Sequence, residues 1–199
     1  MIEISIWGRG GQGAVSTGQL LAIAALYDRK HCQTFPTFGV ERRGAPVQAF
    51  ARIGTKPIHI LSEVYNPDIV IVLDPTLMAD NDVARGIKEG GAVIINSSRK
   101  PKEFKLDENL NVHSVDATSV AMSIFNMPIV NTPILGAFSA ITGIVSIRSL
   151  QKAVDDKFAA TKGKEIAELN KKAIKEVYDN TNEQAGSGSK SQKSSGSSK

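Results

Sequence analysis

Residues 2–13 read Ile2-Glu3-Ile4-Ser5-Ile6-Trp7-Gly8-Arg9-Gly10-Gly11-Gln12-Gly13, and the run from Ala14 to Tyr27 follows without a break. The first six residues alternate as a half-buried strand does, the next six are a glycine-rich turn, and the run after them has the composition of a helix. A strand that turns through glycines into a helix leaves several backbone N–H groups unpaired, all at the positive end of the helix dipole. That is where a phosphate or another anion can sit. The candidate cradle is Gly8, Arg9, Gly10, Gly11, Gln12 and Gly13, with Arg9 adding a charge and Ser16 or Thr17 in the first helical turn adding a hydroxyl. Gly10 marks the point where an anion comes closest to the backbone. The plain alternative is a tight turn that binds nothing.

The same six residues satisfy the dinucleotide fingerprint GxGxxG, whose second half is an acidic residue about twenty positions on, at the end of the second strand. The acid near that spacing is Asp28, which precedes the expected second strand at 31–35 instead of ending it. The nicotinamide reading therefore lacks its ribose ligand.

Further strand-like runs fall at 47–53, 58–61, 69–73, 92–96 and 111–115, and helical stretches at 80–89, 118–125, 132–145, 147–160 and 164–180. Strands separated by helices predict an α/β, Rossmann-like fold: a mostly parallel sheet with helices on both faces. Residues 47–61 enclose Gly54-Thr55-Lys56-Pro57 and read as an added β-hairpin. In the last helix Ile166, Leu169, Ala173, Ile174 and Val177 form one apolar stripe, expected to dock onto the chain's own sheet. Residues 1–184 are expected to make a single domain. Residues 185–199, rich in glycine, serine and lysine, read as a flexible tail that cannot offset its ordering entropy.

Composition narrows the function classes. Of the formal charge of +4, three lysines lie in residues 186–199, which hold no acid, so residues 1–185 carry +1. A nearly neutral fold argues against a nucleic-acid partner. No uninterrupted apolar run approaches membrane-spanning length, and Met1 leads straight into a strand, so neither a membrane span nor a signal peptide is expected. The single cysteine, Cys32, excludes an internal disulfide and suits a reducing cytoplasm. It cannot ligate a [4Fe-4S] cluster, which needs about four thiolates. Cys32 lies in an apolar strand and reads as a buried, inert thiol.

Independent catalysis finds no anchor. His31, His59 and His113 have no metal-ligand spacing and read as packed or surface residues, and no serine sits in a GxSxG elbow. Asp74 lies at the carboxyl end of a strand, where α/β sheets place ligands, but Asp74-Pro75 reads better as a helix cap. Asp116 reads as another cap.

A second cluster, running Phe35-Pro36-Thr37-Phe38-Gly39-Val40-Glu41-Arg42-Arg43-Gly44-Ala45-Pro46-Val47, joins aromatic, rigid and charged residues. Two arginines beside an acid are commonly a solvated turn. Stiffened by two prolines and by aromatics, they can instead present forked donors to an anion or anchor a subunit interface.

Four ordered motifs, GRGGQG at 8–13, FGVERRGAPV at 38–47, DIVIVLDP at 68–75 and NTPILGA at 131–137, resemble the gamma subunits of pyruvate:ferredoxin oxidoreductases and related 2-oxoacid oxidoreductases, over roughly residues 1–180. The resemblance implies a non-catalytic subunit of a pyruvate:ferredoxin or pyruvate:flavodoxin oxidoreductase, assembled with alpha, beta and delta subunits. Thiamine diphosphate, Mg and the [4Fe-4S] clusters are then expected in the partner subunits, with coenzyme A shared at the Gly8 to Gly13 loop, Ser16 and Thr17. It also implies that Phe38, Glu41, Arg42, Arg43, Asn131 and Thr132 serve an interface or bind an anion. Two other readings stay open: an independent NAD(P)-dependent oxidoreductase, and a nucleotide-sensing module outside any catalytic complex.

Overall fold

The computed structural model describes residues 1–37, 43–80, 83–159 and 161–193; the side chains of Asp80 and residues 186–193 fall outside the description. Strand β1 (Ile2–Arg9) is followed by α1 (Ala14–Tyr27), β2 (His31–Pro36), β3 (Pro46–Gly54), β4 (Ile69–Val72) and α2 (Leu77–Asp80). Then come β5 (Ala92–Asn96), a 3₁₀ turn (Pro101–Phe104), β6 (Asn111–Val115), α3 (Ala117–Phe125), α4 (Ile134–Thr142) and α5 (Ile147–Val154). A single π turn (Asp155–Ala159) leads to α6 (Lys164–Lys193).

The strands form one sheet in the order β2-β3-β1-β4-β5-β6. β1, β4, β5 and β6 run parallel, and β3 inserts antiparallel to both β1 and β2. The expected α/β class with a mostly parallel sheet holds. All four residues of β4, Ile69-Val70-Ile71-Val72, are buried, as a parallel strand covered on both faces must be. Alternation sorts the strands between two cores. Ile4, Ile6, Ile69, Ile71 and Ile94 face a large core under α1 and α3 to α6, while Val70, Val72, Val93 and Ile95 face a smaller one closed by Leu77, Val83 and Phe104.

The hairpin forms elsewhere than expected. β3 pairs backward with β2, Phe35 opposite Phe50, and residues 58–61 make no strand. The reason is Arg52, which projects from β3 with 1% of its surface exposed. Its guanidinium donates to Glu3 Oε1 (3.0 Å), Gln33 Oε1 (3.2 Å), the Ile60 carbonyl (3.4 Å) and the Glu63 carbonyl (3.1 Å), and lies 5.3 Å from the Phe35 ring centroid. The carbonyls of the segment after the Gly54 turn thus go to a buried cation, not to a ladder.

The helix expected at 80–89 is replaced by the short α2 and a turn at 83–86. Its backbone is captured by the sheet's lower edge: Lys88 N–H donates to the Pro67 carbonyl (3.0 Å), and Asn66 Nδ2 donates to the Gly86 carbonyl (3.0 Å). Asp116 caps α3 as expected, its carboxylate accepting from Ser119 N–H at 2.9 Å.

The apolar stripe of α6 does not dock on the sheet. α4 is buried from Ile134 through Ser139, the pattern of a helix covered on every side, and α6 packs on α4, α5 and α3 as an outer layer. Ala167, Ala173, Ile174 and Val177 are the buried contacts, while Ile166 turns 39% of its surface outward. Helix α6 continues to Lys193, past Ala185 where that stripe has ended.

Candidate anion-binding cleft

At the carboxyl end of β1 the four motifs, scattered between residues 8 and 137, meet. Gly10 N–H donates to the Ala45 carbonyl (2.8 Å) and the Gly10 carbonyl accepts from Gly44 N–H (3.1 Å), joining the first motif to the second. Gln12 Nε2 donates to Asp74 Oδ2 (2.8 Å) while its Oε1 accepts from Arg9 N–H (2.7 Å), joining the first motif to the third. Thr17 Oγ1 donates to the Asn131 carbonyl (3.0 Å), joining α1 to the fourth. Gly13 lies under Asn131 at φ 87°, where an added Cβ would stand 2.7 Å from Asn131 Nδ2, so both its conformation and its neighbour require glycine.

These contacts redistribute the roles read from the sequence. Gly10 has committed its amide to Ala45 and does not face an anion. Arg9 is not a free cation: its guanidinium bridges Asp74 (3.3 Å), Thr76 Oγ1 (2.8 Å) and the Gly44 carbonyl (3.2 Å). Thr17 is buried and its hydroxyl is occupied, whereas Ser16 faces the cleft. Among the described residues, the amides of Gly11, Gly13, Ala14, Val15 and Ser16 have no backbone or side-chain acceptor. Of the proposed interface residues, Phe38, Glu41 and Arg42 lie outside the described residues, and Arg43 is an exposed turn residue. Asn131 and Thr132 wall the cleft; Thr132 is 1% exposed.

The cleft has a volume of about 500 Å³. Gly11, Gln12, Gly13 and Ser16 form one side, and Phe125, Met127, Pro128, Ile129, Phe158 and Ile166 form an apolar wall, with Lys162 at the rim. Lys157, in the π turn, reaches back to Gln19 Oε1 (2.6 Å) and the Ser16 carbonyl (3.4 Å), tying the wall to α1. Burial and the neighbouring Lys162 charge both push the Lys157 amine below its ordinary value. Sequence reading missed Lys162 and the wall of residues 127–129. The available signal was that Ile166 and Leu169 sit a turn ahead of the stripe that buries.

Asp74, dismissed from the sequence as a cap, is the hub. One oxygen does accept from Thr76 N–H (3.0 Å) at the turn into α2, but the other holds Gln12 and Arg9. Burial pushes its carboxyl up, and the hydrogen bonds from Thr76 and Gln12, with the Arg9 charge, outweigh burial and hold it below the ordinary 3.8. Because the folded value is depressed, the stabilisation is complete above the unfolded value and is lost as pH falls through the folded one. The thermal-midpoint gap between wild type and Asp74→Asn should therefore be constant at neutral pH and close as pH drops below 3.8; a gap that persists unchanged in acid would show that the charge is idle.

Asp28, the one acid near dinucleotide spacing, ends α1 at the far side of the sheet. Its carboxylate accepts from Ser146 N–H, Ser146 Oγ (2.9 Å) and Ser149 Oγ (2.6 Å), capping α5. Burial pushes this carboxyl up, while the bonds from Ser149 and Ser146 hold it below its ordinary value. The strand after α1 lies at the sheet edge, two places from β1. Among the described residues, a ribose ligand is thus missing in space as well as in sequence.

The family model for pyruvate ferredoxin/flavodoxin oxidoreductase matches residues 3–180. The chain belongs to that family. It is 53% identical over 154 residues to pyruvate synthase subunit PorC of Methanosarcina barkeri, covering 77% of this chain and 85% of that one. It is 49% identical over 184 residues to the pyruvate/ketoisovalerate oxidoreductases common subunit gamma of Thermococcus litoralis, covering 91% and 97%. The crystal structure of pyruvate oxidoreductase subunit PORC from Thermotoga maritima superposes with a TM-score of 0.76 at 37% identity, covering 89% and 95%. The one cysteine of the chain is partly buried and could not by itself ligate a [4Fe-4S] cluster. Cys32 Sγ donates to the Ala22 carbonyl (3.1 Å), and burial pushes the thiol up, so it stays protonated.

Proposed function

We propose that this chain is the gamma subunit of a cytoplasmic, multi-subunit pyruvate:ferredoxin or pyruvate:flavodoxin oxidoreductase, and that its cleft holds part of coenzyme A. The complex would convert pyruvate and coenzyme A to acetyl-CoA and carbon dioxide, passing two electrons to the acceptor. The carrying observation is the cleft itself. Unpaired amides at the start of α1, the Ser16 hydroxyl and the Lys162 ammonium offer donors to phosphate, and the wall of residues 125–129 offers apolar surface to the rest of an amphipathic ligand.

We infer that thiamine diphosphate with Mg and the iron-sulfur clusters are held outside this chain. Among the described residues no three His, Cys, Asp or Glu side chains gather to hold a metal, and one cysteine cannot ligate a cluster. Those groups, and the choice among 2-oxoacids, would belong to the alpha, beta and delta subunits. The task left to this chain is binding and positioning a thiol that reacts elsewhere. No helix among the described residues is long and apolar enough to cross a membrane.

Replacing Lys162 by alanine in the assembled complex should raise the KM for coenzyme A several-fold and leave the KM for pyruvate unchanged, since uniform binding of one substrate is removed. Lys162 is an exposed rim residue, so iron content and assembly should stay normal. Unaltered coenzyme A kinetics in an intact complex would reduce the cleft to a packing feature.

A further inference from the structure

The cleft holds polar groups of two kinds. The amides at the start of α1, Ser16 and Lys162 suit phosphate, whereas Asn131, Thr132 and Asn170, which line the same cleft, carry no charge. Thr132 is 1% exposed and Asn170 7%. Thr17 holds Asn131 by its backbone carbonyl, and among the described residues neither the Asn131 carboxamide nor the Thr132 hydroxyl has a hydrogen-bond partner. Asn170 Nδ2 donates to the Ile166 carbonyl (2.8 Å) inside its own helix, and its Oδ1 has no donor among the described residues. Polar groups withdrawn from water are paired as a rule, because an unmade bond costs the lost hydration in full. Unused donors and acceptors gathered in one cleft mark where a ligand's own polar atoms belong.

Their surroundings select the kind of ligand group. Phe125 and Phe158 belong to the same wall, and the Lys162 ammonium lies 5.1 Å from the Phe158 ring centroid. Asn131 stands over Gly13, where the free amides of α1 begin. Ring faces, neutral hydrogen-bonding groups and phosphate donors are therefore contiguous. A purine base uses all three at once: aromatic side chains take its face, and a carboxamide matches the amino group and ring nitrogen of adenine through two bonds. The amide-containing arm of coenzyme A has no need of ring faces. Its thiol must also reach a reaction centre outside this chain, so the arm is the end that leaves the cleft.

We propose that the cleft is an adenine-nucleotide site, in which Asn131, Thr132 and Asn170 read the edge of the base, so that free adenosine diphosphate competes with coenzyme A for it. The inference rests on the coenzyme A reading above and adds which half of the coenzyme is enclosed, which residues choose the base and what else can bind. A volume of about 500 Å³ suits one such group, with the rest of the coenzyme outside.

The test is steady-state competition in the assembled complex, with pyruvate saturating and coenzyme A varied. Adenosine diphosphate should raise the apparent KM for coenzyme A, with an inhibition constant about ten-fold below that of guanosine diphosphate, the discrimination expected of paired contacts to a base edge. Pantetheine, which has no nucleotide, should not compete at the same concentrations. Asn170→Leu stays close to the original size and gives up only a bond within its own helix. In that variant the preference for adenine should fall toward unity, a change that loosened packing alone would not produce. Equal inhibition by the two nucleotides, competition by neither, competition by pantetheine alone, or a preference untouched by Asn170→Leu would each overturn the proposal. Lys162→Ala separates the two readings. If it raises the KM for coenzyme A while the nucleotides are not told apart, only the base reading fails; if coenzyme A kinetics are unaltered, the cleft is no coenzyme A site and both fail.

Discussion

Replacing Arg52 by alanine is expected to lower the stability of the folded chain by about 3–5 kcal/mol, the usual result of removing one partner from a buried ionic cluster. Arg52 is 1% exposed, and its removal leaves Glu3 with only the more distant Lys88 (3.7 Å), leaves the Ile60 carbonyl to Gln33 Nε2 (2.8 Å) and takes the Arg52 donor from the Glu63 carbonyl. The loss should be read as a fall of roughly 6–20 °C in the thermal midpoint for a chain of this size. Arg52→Lys should recover only part of it, because a point charge cannot serve four acceptors in a planar fork. Residues 58–63 should also become open to protease before the rest of the chain, since Arg52 is what ties them to β3. A variant as stable as wild type, with the segment still protected, would mean that the segment is held by something else.

Gly136→Val is the second large effect. Gly136 lies in α4 where α6 crosses it, and an added Cβ would stand 2.2 Å from the Ile174 carbonyl oxygen and 2.9 Å from the Tyr178 nitrogen. Both are backbone atoms, so no side chain can turn aside; the two helices must separate. Overpacking of this kind costs about 3 kcal/mol at the upper end of its usual range, and here it opens the joint between the buried helix and the outer layer. The expected readout is a midpoint lowered by roughly 6–12 °C, with exchange protection lost first in α6. Because Ile166 and Leu169 of α6 also wall the cleft, the coenzyme A binding proposed for it should weaken as well. Unchanged exchange in α6 would show that the helices have more freedom than their distance implies.

Position 136 also shows how far the sequence could be read. NTPILGA was visible as a motif, but the reason for its glycine is a crossing with a helix nearly forty residues later. Asp74 is the same case. Its place at the end of β4 was legible, and local chemistry supported a cap; the partners that make it a hub, Arg9 at the end of β1 and Gln12 in the turn after it, come from more than sixty residues earlier.

What the sequence determined by itself was local in origin. Alternation in residues 2–7 and the strand-like runs at 69–73 and 92–96 specified strands, the glycine turn specified a strand running into a helix, and Asp116 specified a cap. Those signals depend on neighbours within a turn or two, and four motifs in order were enough to identify the family. The tertiary structure alone decided which strands pair, so that β3 runs backward between β1 and β2 and the carbonyls of Ile60 and Glu63 accept from a buried arginine. It also decided which loop amides remain free, taking Gly10 and Arg9 out of the cradle and bringing in Lys162. A hydrogen-bonding group is satisfied by whatever comes within about 3 Å in space, and sequence separation carries no information about that distance.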